Sequence, residues 1–198
     1  MKTLTKTLFA AVLAVVLLTS SSMVTLAANT IEVAMPAKGF NKIWVSGNVK
    51  IILTQSEKEG VFVAEDFNAG KTSVLGKGNT LYINSLETSQ VLIRVSMKDL
   101  QRIEAAGNAV IVTSNNFDVK CLQVILTQNA SAKVNTIAGS LYTNVSDNAK
   151  LKMSGITYKH TSVATNIKNV KYDDFVQLSP NKPQSELVLA ADKLSVIK

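Results

Sequence analysis

Few side chains in this sequence could carry out catalysis. His160 is the only histidine and Cys121 the only cysteine among 198 residues. A hydrolytic triad needs a nucleophile, a histidine and a third group that orients the histidine, and no motif around His160 supplies them. We interpret His160 as a solvated surface residue. Cys121 cannot form a disulfide within the chain, and its apolar neighbours at residues 119–122 predict a buried free thiol.

The acidic residues do not form a recognisable catalytic pair. Glycosidases need two carboxylates a few ångströms apart across the sugar, whereas the acids of residues 102–174 are dispersed: Glu104, Asp118, Asp147, Asp173 and Asp174. Adjacent acids, such as Glu65 and Asp66, point to opposite faces of a strand and suit no Ca²⁺ site. The sequence therefore predicts no enzyme, no metal and no other cofactor. A polysaccharide-active lyase or hydrolase is the alternative that stays open.

Basic residues outnumber acidic ones, which favours anionic partners. The chain has 21 Lys and Arg against 14 Asp and Glu, a net charge of +7. This surplus is modest and spread along the sequence, so it permits attraction to acidic polymers without indicating a nucleic-acid-binding protein.

The sequence predicts that these side chains are carried mainly by β-strands. Short runs rich in β-branched and aromatic residues are bounded by Gly, Asn, Asp or Ser at residues 43–45, 49–51, 61–63, 81–83 and 91–95, a pattern typical of strands. The prolines lie near the two ends, at Pro36, Pro180 and Pro183, so the middle of the chain is free of that strand breaker.

A repeat of 18–21 residues runs through the second half of the chain. Its markers lie at spacings of 21, 19 and 18 residues: Asn108, Asn129, Asn148 and Asn166. Three positions before each marker the residue is apolar: Ala105, Leu126, Val145 and Val163. Such columns predict an all-β fold, a parallel β-helix (β-solenoid) whose coils stack about 4.8 Å apart. An antiparallel sandwich also spaces its strands closely but does not predict these columns.

The asparagines suit the corners of such coils. Asn tolerates left-handed backbone angles, and stacked amides can bond from coil to coil. We therefore predict that Asn108, Asn129 and Asn148 lie in line along the stack.

The same columns place basic and aromatic side chains on the outside. The first group is a predicted lysine patch for an acidic polysaccharide or another envelope glycan: Lys133, Lys150, Lys152 and Lys168. The second is an outward column with candidate sugar contacts: Arg102, Tyr142 and His160. The competing interpretation is that lysines only keep a flat β-surface soluble.

The first 27 residues have the features of a signal peptide. Lys2 and Lys6 precede an unbroken apolar run at residues 8–18, which is well short of the roughly 20 residues that span a bilayer. Thr25 and Ala27 fit the small-residue cleavage rule. We predict export to the periplasm, the cell surface or the extracellular space. Residues 28–198 should then form a single β-helix domain with no transmembrane segment after cleavage.

The opening strands resemble a known family. Residues 40–55 (FNKIWVSGNVKIILTQ), followed by residues 61–63 and 81–83, are similar to the start of the bacterial "putative auto-transporter adhesin, head GIN domain", and the resemblance extends to Tyr172. It implies a right-handed parallel β-helix and an adhesin-like role, and it brings no catalytic residues. This chain departs from the family's Ser-Gly-Ala-Gly-Asp-like corners, since only Gly107 keeps a glycine there, and it lacks a glycine-rich ending.

Together these features predict an exported, non-catalytic cell-envelope or secreted β-helix protein, adhesin-like or glycan-binding. A homo-oligomer is compatible with them.

Overall fold

The computed structural model describes residues 30–33, 39–64 and 67–178. The predicted leader, residues 1–27, and the C-terminal residues 179–198 lie outside the described residues. Within them the chain forms thirteen strands and one short 3-10 turn, Ile167–Asn169. The strands are β1 (Thr30–Val33), β2 (Lys42–Gly47), β3 (Val49–Gln55), β4 (Gly60–Ala64), β5 (Thr72–Lys77), β6 (Thr80–Ser85), β7 (Val91–Met97), β8 (Arg102–Ala105), β9 (Val110–Thr113), β10 (Phe117–Leu126), β11 (Ser131–Val145), β12 (Lys150–Ala164) and β13 (Val170–Gln177).

Strands form where side chains alternate between core and solvent. In β11, Ala132, Val134 and Thr136 are buried, whereas Lys133 and Ile137 are exposed. β-Branched residues fit such a pleated, half-buried surface. The inward sides of the strands share one hydrophobic core, which extends along the sequence from Phe40 to Ala164.

The strands pair in a single mixed sheet. Its order is β1-β4-β7-β3-β9-β11-β10-β8-β2-β6-β5, and β12 joins β11 to β13. The pairs β1–β4, β4–β7 and β5–β6 are antiparallel, and the other pairs are parallel. The all-β class is confirmed, but the pairing is not parallel throughout. One reason is that only two residues, Gly78 and Asn79, join β5 to β6, and so short a connection returns the chain antiparallel.

β2 and β3 each lie between two strands that come later in the chain. β2 pairs with β6 on one side and with β8 on the other, and β3 lies in the same way between β7 and β9. The neighbours in this part of the sheet are therefore not in chain order.

From β8 onward the pairing repeats regularly. Arg102 pairs with Gln123, Gln123 with Tyr142, and Tyr142 with Thr161, which are spacings of 21, 19 and 19 residues. At the corners Asn129 Nδ2 donates to Asn108 Oδ1, and Asn148 Nδ2 donates to Asn129 Oδ1, each at 3.4 Å. The three asparagines therefore follow one another from layer to layer, as predicted.

The left-handed residue at each corner is the one before the asparagine. Gly107, Gln128 and Asp147 have φ of 69°, 58° and 58°, so the prediction that Asn supplies this conformation is wrong. Gln128 Oε1 accepts a bond from the Gly107 N–H at 2.7 Å, and Asp147 Oδ2 accepts one from the Gln128 N–H at 2.8 Å. Each corner side chain thus satisfies a backbone donor of the preceding corner, which offsets the cost of a non-glycine residue there.

The fourth repeat is shifted by one residue relative to the sequence alignment. Tyr142 pairs with Thr161 rather than with His160. Asn166 accepts a bond from the Lys168 N–H at the start of the 3-10 turn and does not continue the asparagine row. A slip of one residue moves every side chain to the other face, so His160 is inward and only 8% exposed. The predictions that His160 is solvated and shares an outward column with Arg102 and Tyr142 are wrong.

Cys121 is also misassigned by the sequence pattern. It is exposed, and its Sγ accepts a hydrogen bond from the Ser140 hydroxyl at 3.1 Å. The strict alternation breaks in β10, where Lys120 and Cys121 are both outward between the buried Val119 and Leu122. The same break recurs at Gly139 and Ser140 in the next strand. The prediction of a buried thiol is therefore wrong.

Candidate functional site

Five lysines lie on the outward side of the last strands. Lys133 pairs with Lys152, and Lys152 with Lys171, in adjacent parallel strands. Lys150 lies two residues before Lys152 on the same face, and Lys168 lies in the 3-10 turn that leads into β13. We call Lys133, Lys150, Lys152, Lys168 and Lys171 the lysine surface.

The lysine surface borders a shallow depression of about 440 Å³. Val110 and Val112 of β9 line it together with all five lysines. Adjacent strands are about 4.8 Å apart, so the ammonium groups of neighbouring lysines can lie within about 5–10 Å of one another. The depression therefore offers an apolar base with cations around it.

An ion pair with Asp173 partly neutralises this surface. Lys152 Nζ lies 2.8 Å from Asp173 Oδ2. This hydrogen bond, with the attraction between the charges, raises the pKa of Lys152 and lowers the pKa of Asp173. Both groups are solvated, so the pair adds little stability. Its main consequence is that the other four lysines provide most of the unbalanced charge.

The structure brings together Lys133, Lys150 and Lys152 as the sequence predicted. Lys168 borders the same depression, but it is not in the column of Lys150, because Leu151 pairs with Val170 and Lys150 therefore lies beside Asn169. Sequence reasoning missed Lys171. A spacing of 19 residues after Lys152, continuing the step from Lys133 to Lys152, would have identified it.

The second predicted group is only partly assembled. Arg102 and Tyr142 occupy one outward column with Gln123 between them, and His160 is on the inner side. Arg102 Nη1 lies 3.9 Å from Glu104 Oε2, a distant pair with both side chains about two-fifths exposed. These contacts do not form a site.

An aromatic pair lies on the outer face of the sheet. The rings of Trp44 and Tyr82 lie 6.0 Å apart at 46°, on the paired strands β2 and β6. Such a pair can stack on a sugar ring, and it was not among the predicted site residues.

His160 belongs to a polar cluster at the end of the core. Thr143 Oγ1 lies 3.2 Å from His160 Nε2, 3.0 Å from Ser162 Oγ and 3.3 Å from Tyr172 OH. Tyr172 OH lies 2.7 Å from Ser162 Oγ, and the rings of Tyr172 and Phe175 meet His160 edge-on at 5.0 and 5.5 Å. Burial lowers the pKa of His160 to about 4. The imidazole is therefore neutral at pH 7 and acts as a hydrogen-bonding part of the core.

Comparison of the sequence with protein families gives a clear assignment. Residues 39–175 match the family described as "putative auto-transporter adhesin, head GIN domain". The chain belongs to this family. The match covers all the strands from β2 to β12 and most of β13, so the lysine surface and the His160 cluster both lie within the GIN domain.

Solved structures share the fold of this GIN domain. A "putative adhesin" from Bacteroides fragilis superposes with a TM-score of 0.59 at 17% identity, covering 73% of this chain and 72% of the other. A second "putative adhesin", from Parabacteroides distasonis, superposes with a TM-score of 0.50 at 14% identity, covering 74% and 75%. No curated protein matches the sequence. At these identities the likeness establishes the fold alone.

Metal-ligating side chains are dispersed in the described part of the GIN domain. No three His, Cys, Asp or Glu residues within residues 30–33, 39–64 and 67–178 lie close enough together to hold a metal ion. The same residues contain no helix long and apolar enough to cross a membrane. The family and the two solved relatives are named as adhesins rather than enzymes.

The stability of the GIN domain should fall as the pH drops from about 6.5 to about 4. The unfolded chain takes up a proton on His160 near pH 6.5, whereas the folded pKa is about 4. Between these values the unfolded state binds more protons, so the free energy of unfolding decreases with decreasing pH. The lowered pKa of Asp173 acts in a more acidic window, below the usual pKa of an aspartate carboxyl.

Urea unfolding at pH 7.0, 5.0 and 4.2 measures this dependence. In the His160→Gln variant the loss of stability between pH 7.0 and 5.0 should be clearly smaller than in the parent, whatever the variant's absolute stability. Equal losses in both proteins would mean that other groups cause the effect.

Proposed function

We propose that this chain is an exported, non-catalytic GIN-domain protein of the cell envelope, adhesin-like in role, whose lysine surface binds an acidic polysaccharide. In this proposal residues 1–27 are a cleaved signal peptide and residues 28–198 form one domain. Membership in a family named for an adhesin head supports a location outside the cytoplasm.

The proposed architecture is a right-handed parallel β-helix with antiparallel additions at its N-terminal end. The parallel pairing at steps of 21, 19 and 19 residues supports it, as does the asparagine row at the corner. Such a stack repeats its outward side chains at a regular distance, which suits a polymer with repeating charges.

The single observation that carries the binding function is the gathering of five lysines around one depression. Like charges at this spacing repel one another modestly in water, so stability alone does not explain why they are together. A partner with regularly spaced negative charges removes that repulsion, and a chain of acidic sugars has such spacing.

Retention on immobilised acidic polysaccharide tests the proposal. We expect the full-length mature chain to bind at low salt and to elute as the salt rises, because the Debye length falls from about 10 Å at 0.1 M to about 3 Å at 1 M. A variant with Lys133, Lys150, Lys168 and Lys171 changed to Gln should lose most of this retention, since these lysines carry most of the unbalanced charge of the surface.

A matched variant controls for net charge. It changes the same number of exposed lysines away from the lysine surface: Lys42, Lys58, Lys77 and Lys120. This control should keep most of the retention. The proposal is wrong if both variants lose retention equally, or if the parent is not retained.

A further inference from the structure

An exposed apolar patch lies on the same three strands as the lysine surface. Ile137 of β11 pairs with Ile156 of β12, and Ile156 with Val176 of β13, so the three side chains form one outward column. Tyr158 lies two residues further along β12. Leu178 follows the last residue of β13, and its N–H donates to the Thr157 carbonyl at 2.8 Å. We call Ile137, Ile156, Tyr158, Val176 and Leu178 the apolar surface.

The apolar surface is unusually exposed for residues of this kind. Tyr158 is 60%, Val176 50% and Leu178 47% exposed, and Ile137 is 37% exposed. Single exposed apolar residues are common, but a contiguous group usually marks a contact with a protein or a membrane. In the preceding strand the equivalent positions hold Asp118 and Lys120, so the apolar character is confined to the last three strands.

Lysines lie on both sides of the apolar surface. Lys133 and Lys152 each lie four residues before an isoleucine of the column, and Lys171 precedes Val176 by five. Four residues of extended strand span about 13 Å. On the opposite side Lys159 follows Tyr158 directly and is exposed. Apolar residues bordered by cations, with an aromatic ring among them, have the composition that favours contact with the interface of an anionic bilayer.

The outer edge of β13 is less suited to strand pairing with a second copy. Asp173 and Asp174 are both exposed on it, Asp174 is left-handed with φ 55°, and the register with β12 shifts at this point. Charges and a bulge on an edge strand discourage edge-to-edge association. The outward face of these strands is thus the more accessible contact surface.

We propose that the apolar surface docks on a lipid surface with anionic head groups, with the neighbouring lysines contacting those head groups. The apolar side chains enter the interface and supply the part of the affinity that salt does not screen. This docking is separate from the binding of polysaccharide, because it needs the apolar residues, whereas polysaccharide retention needs the lysines alone.

Co-sedimentation of the full-length mature chain with vesicles tests this inference. The probes are vesicles of phosphatidylcholine alone and vesicles with an equal share of phosphatidylglycerol. We expect binding to the anionic vesicles that weakens at 0.5 M salt without vanishing. A variant with Tyr158→Ser, Val176→Ser and Leu178→Ser should bind at least about tenfold more weakly, because three apolar side chains no longer enter the interface.

A matched variant changes two exposed aliphatic residues that lie away from the apolar surface, Leu75→Ser and Leu86→Ser, and is compared with the double variant Val176→Ser and Leu178→Ser. It should bind anionic vesicles as the parent does. Circular dichroism and unchanged polysaccharide retention would show that both variants are folded.

Three results would overturn the inference: the parent shows no preference for anionic vesicles, the two double variants lose vesicle binding equally, or the first variant binds anionic vesicles as the parent does. If the parent is not retained on polysaccharide, that result counts only against the proposed function. Failure of the proposed function and failure of this inference are therefore distinguishable.

Discussion

Replacing Leu126 with aspartate is expected to prevent the chain from folding. Leu126 is fully buried and lies in a column between Ala105 and Val145 in the middle of the stack. The substitution removes a leucine side chain, which costs about 2–5 kcal/mol. It also buries a carboxylate among apolar residues, which adds several kcal/mol. Domains of this size are stable by only about 5–15 kcal/mol, so little of the folded state should remain.

Circular dichroism and urea unfolding measure the effect. Gln123→Asp is the matched control, because Gln123 is on the same strand but exposed, and it should change stability by no more than about 0.5 kcal/mol. The stability of Leu126→Ala should lie between the stabilities of Leu126→Asp and Gln123→Asp. This variant should remain folded if the overall stability is near the upper end of the range. A cooperative, near-native unfolding transition for Leu126→Asp would contradict the assignment of this column to the core.

Gly47→Ala is expected to destabilise the fold nearly as strongly. Gly47 has a φ of 86°, and a Cβ placed there would overlap the backbone carbonyl oxygen of Ser85 in the neighbouring strand. The positive φ alone costs an alanine about 1–2 kcal/mol. The overlap is with backbone that pairs β2 to β6, so it is relieved only by moving the strands apart. We expect a total loss of about 4 kcal/mol or more, at the upper end of single substitutions.

Gly78→Ala separates the two causes of that loss. Gly78 also has a positive φ, 56°, but a Cβ there would meet nothing within 4 Å. This variant should therefore lose only the conformational part, about 1–2 kcal/mol. If Gly47→Ala and Gly78→Ala lose the same stability in urea unfolding, the close approach of β2 to β6 does not contribute.

The vicinity of Gly47 also explains why the first corner of the repeat keeps Gly107. A Cβ on Gly107 would lie 2.9 Å from the Gly47 backbone nitrogen, so the two corners pack backbone against backbone. The later corners use Gln128 and Asp147 in the same left-handed conformation. This contrast shows that the departure from the family's corner sequence is compatible with the fold where a side chain caps the neighbouring N–H.

The class of the fold and its local pattern could be predicted from the amino-acid sequence. Alternating β-branched residues predicted strands, and the spacing of Asn108, Asn129 and Asn148 predicted which positions meet in neighbouring layers. Both depend on the side-chain period of two and on a repeat length, which are local properties of the chain. The opening residues were enough to indicate the family, and three of the four predicted lysines share the face on which they were placed.

The side chains that the last repeat turns outward could not be predicted without the pairing of the strands. The alignment on Asn166 and the observed register differ by one residue, and this single residue turns His160 inward and brings Lys171 to the lysine surface. The position of β2 between β6 and β8 likewise follows from pairing between segments far apart in the chain. In the last repeat the inward positions hold the polar residues His160 and Ser162, whereas Val163 is less buried. The alternation of apolar and polar residues that normally specifies which face is buried is therefore missing there. Contacts between strands, such as those of Tyr172 with His160 and Ser162, select the register.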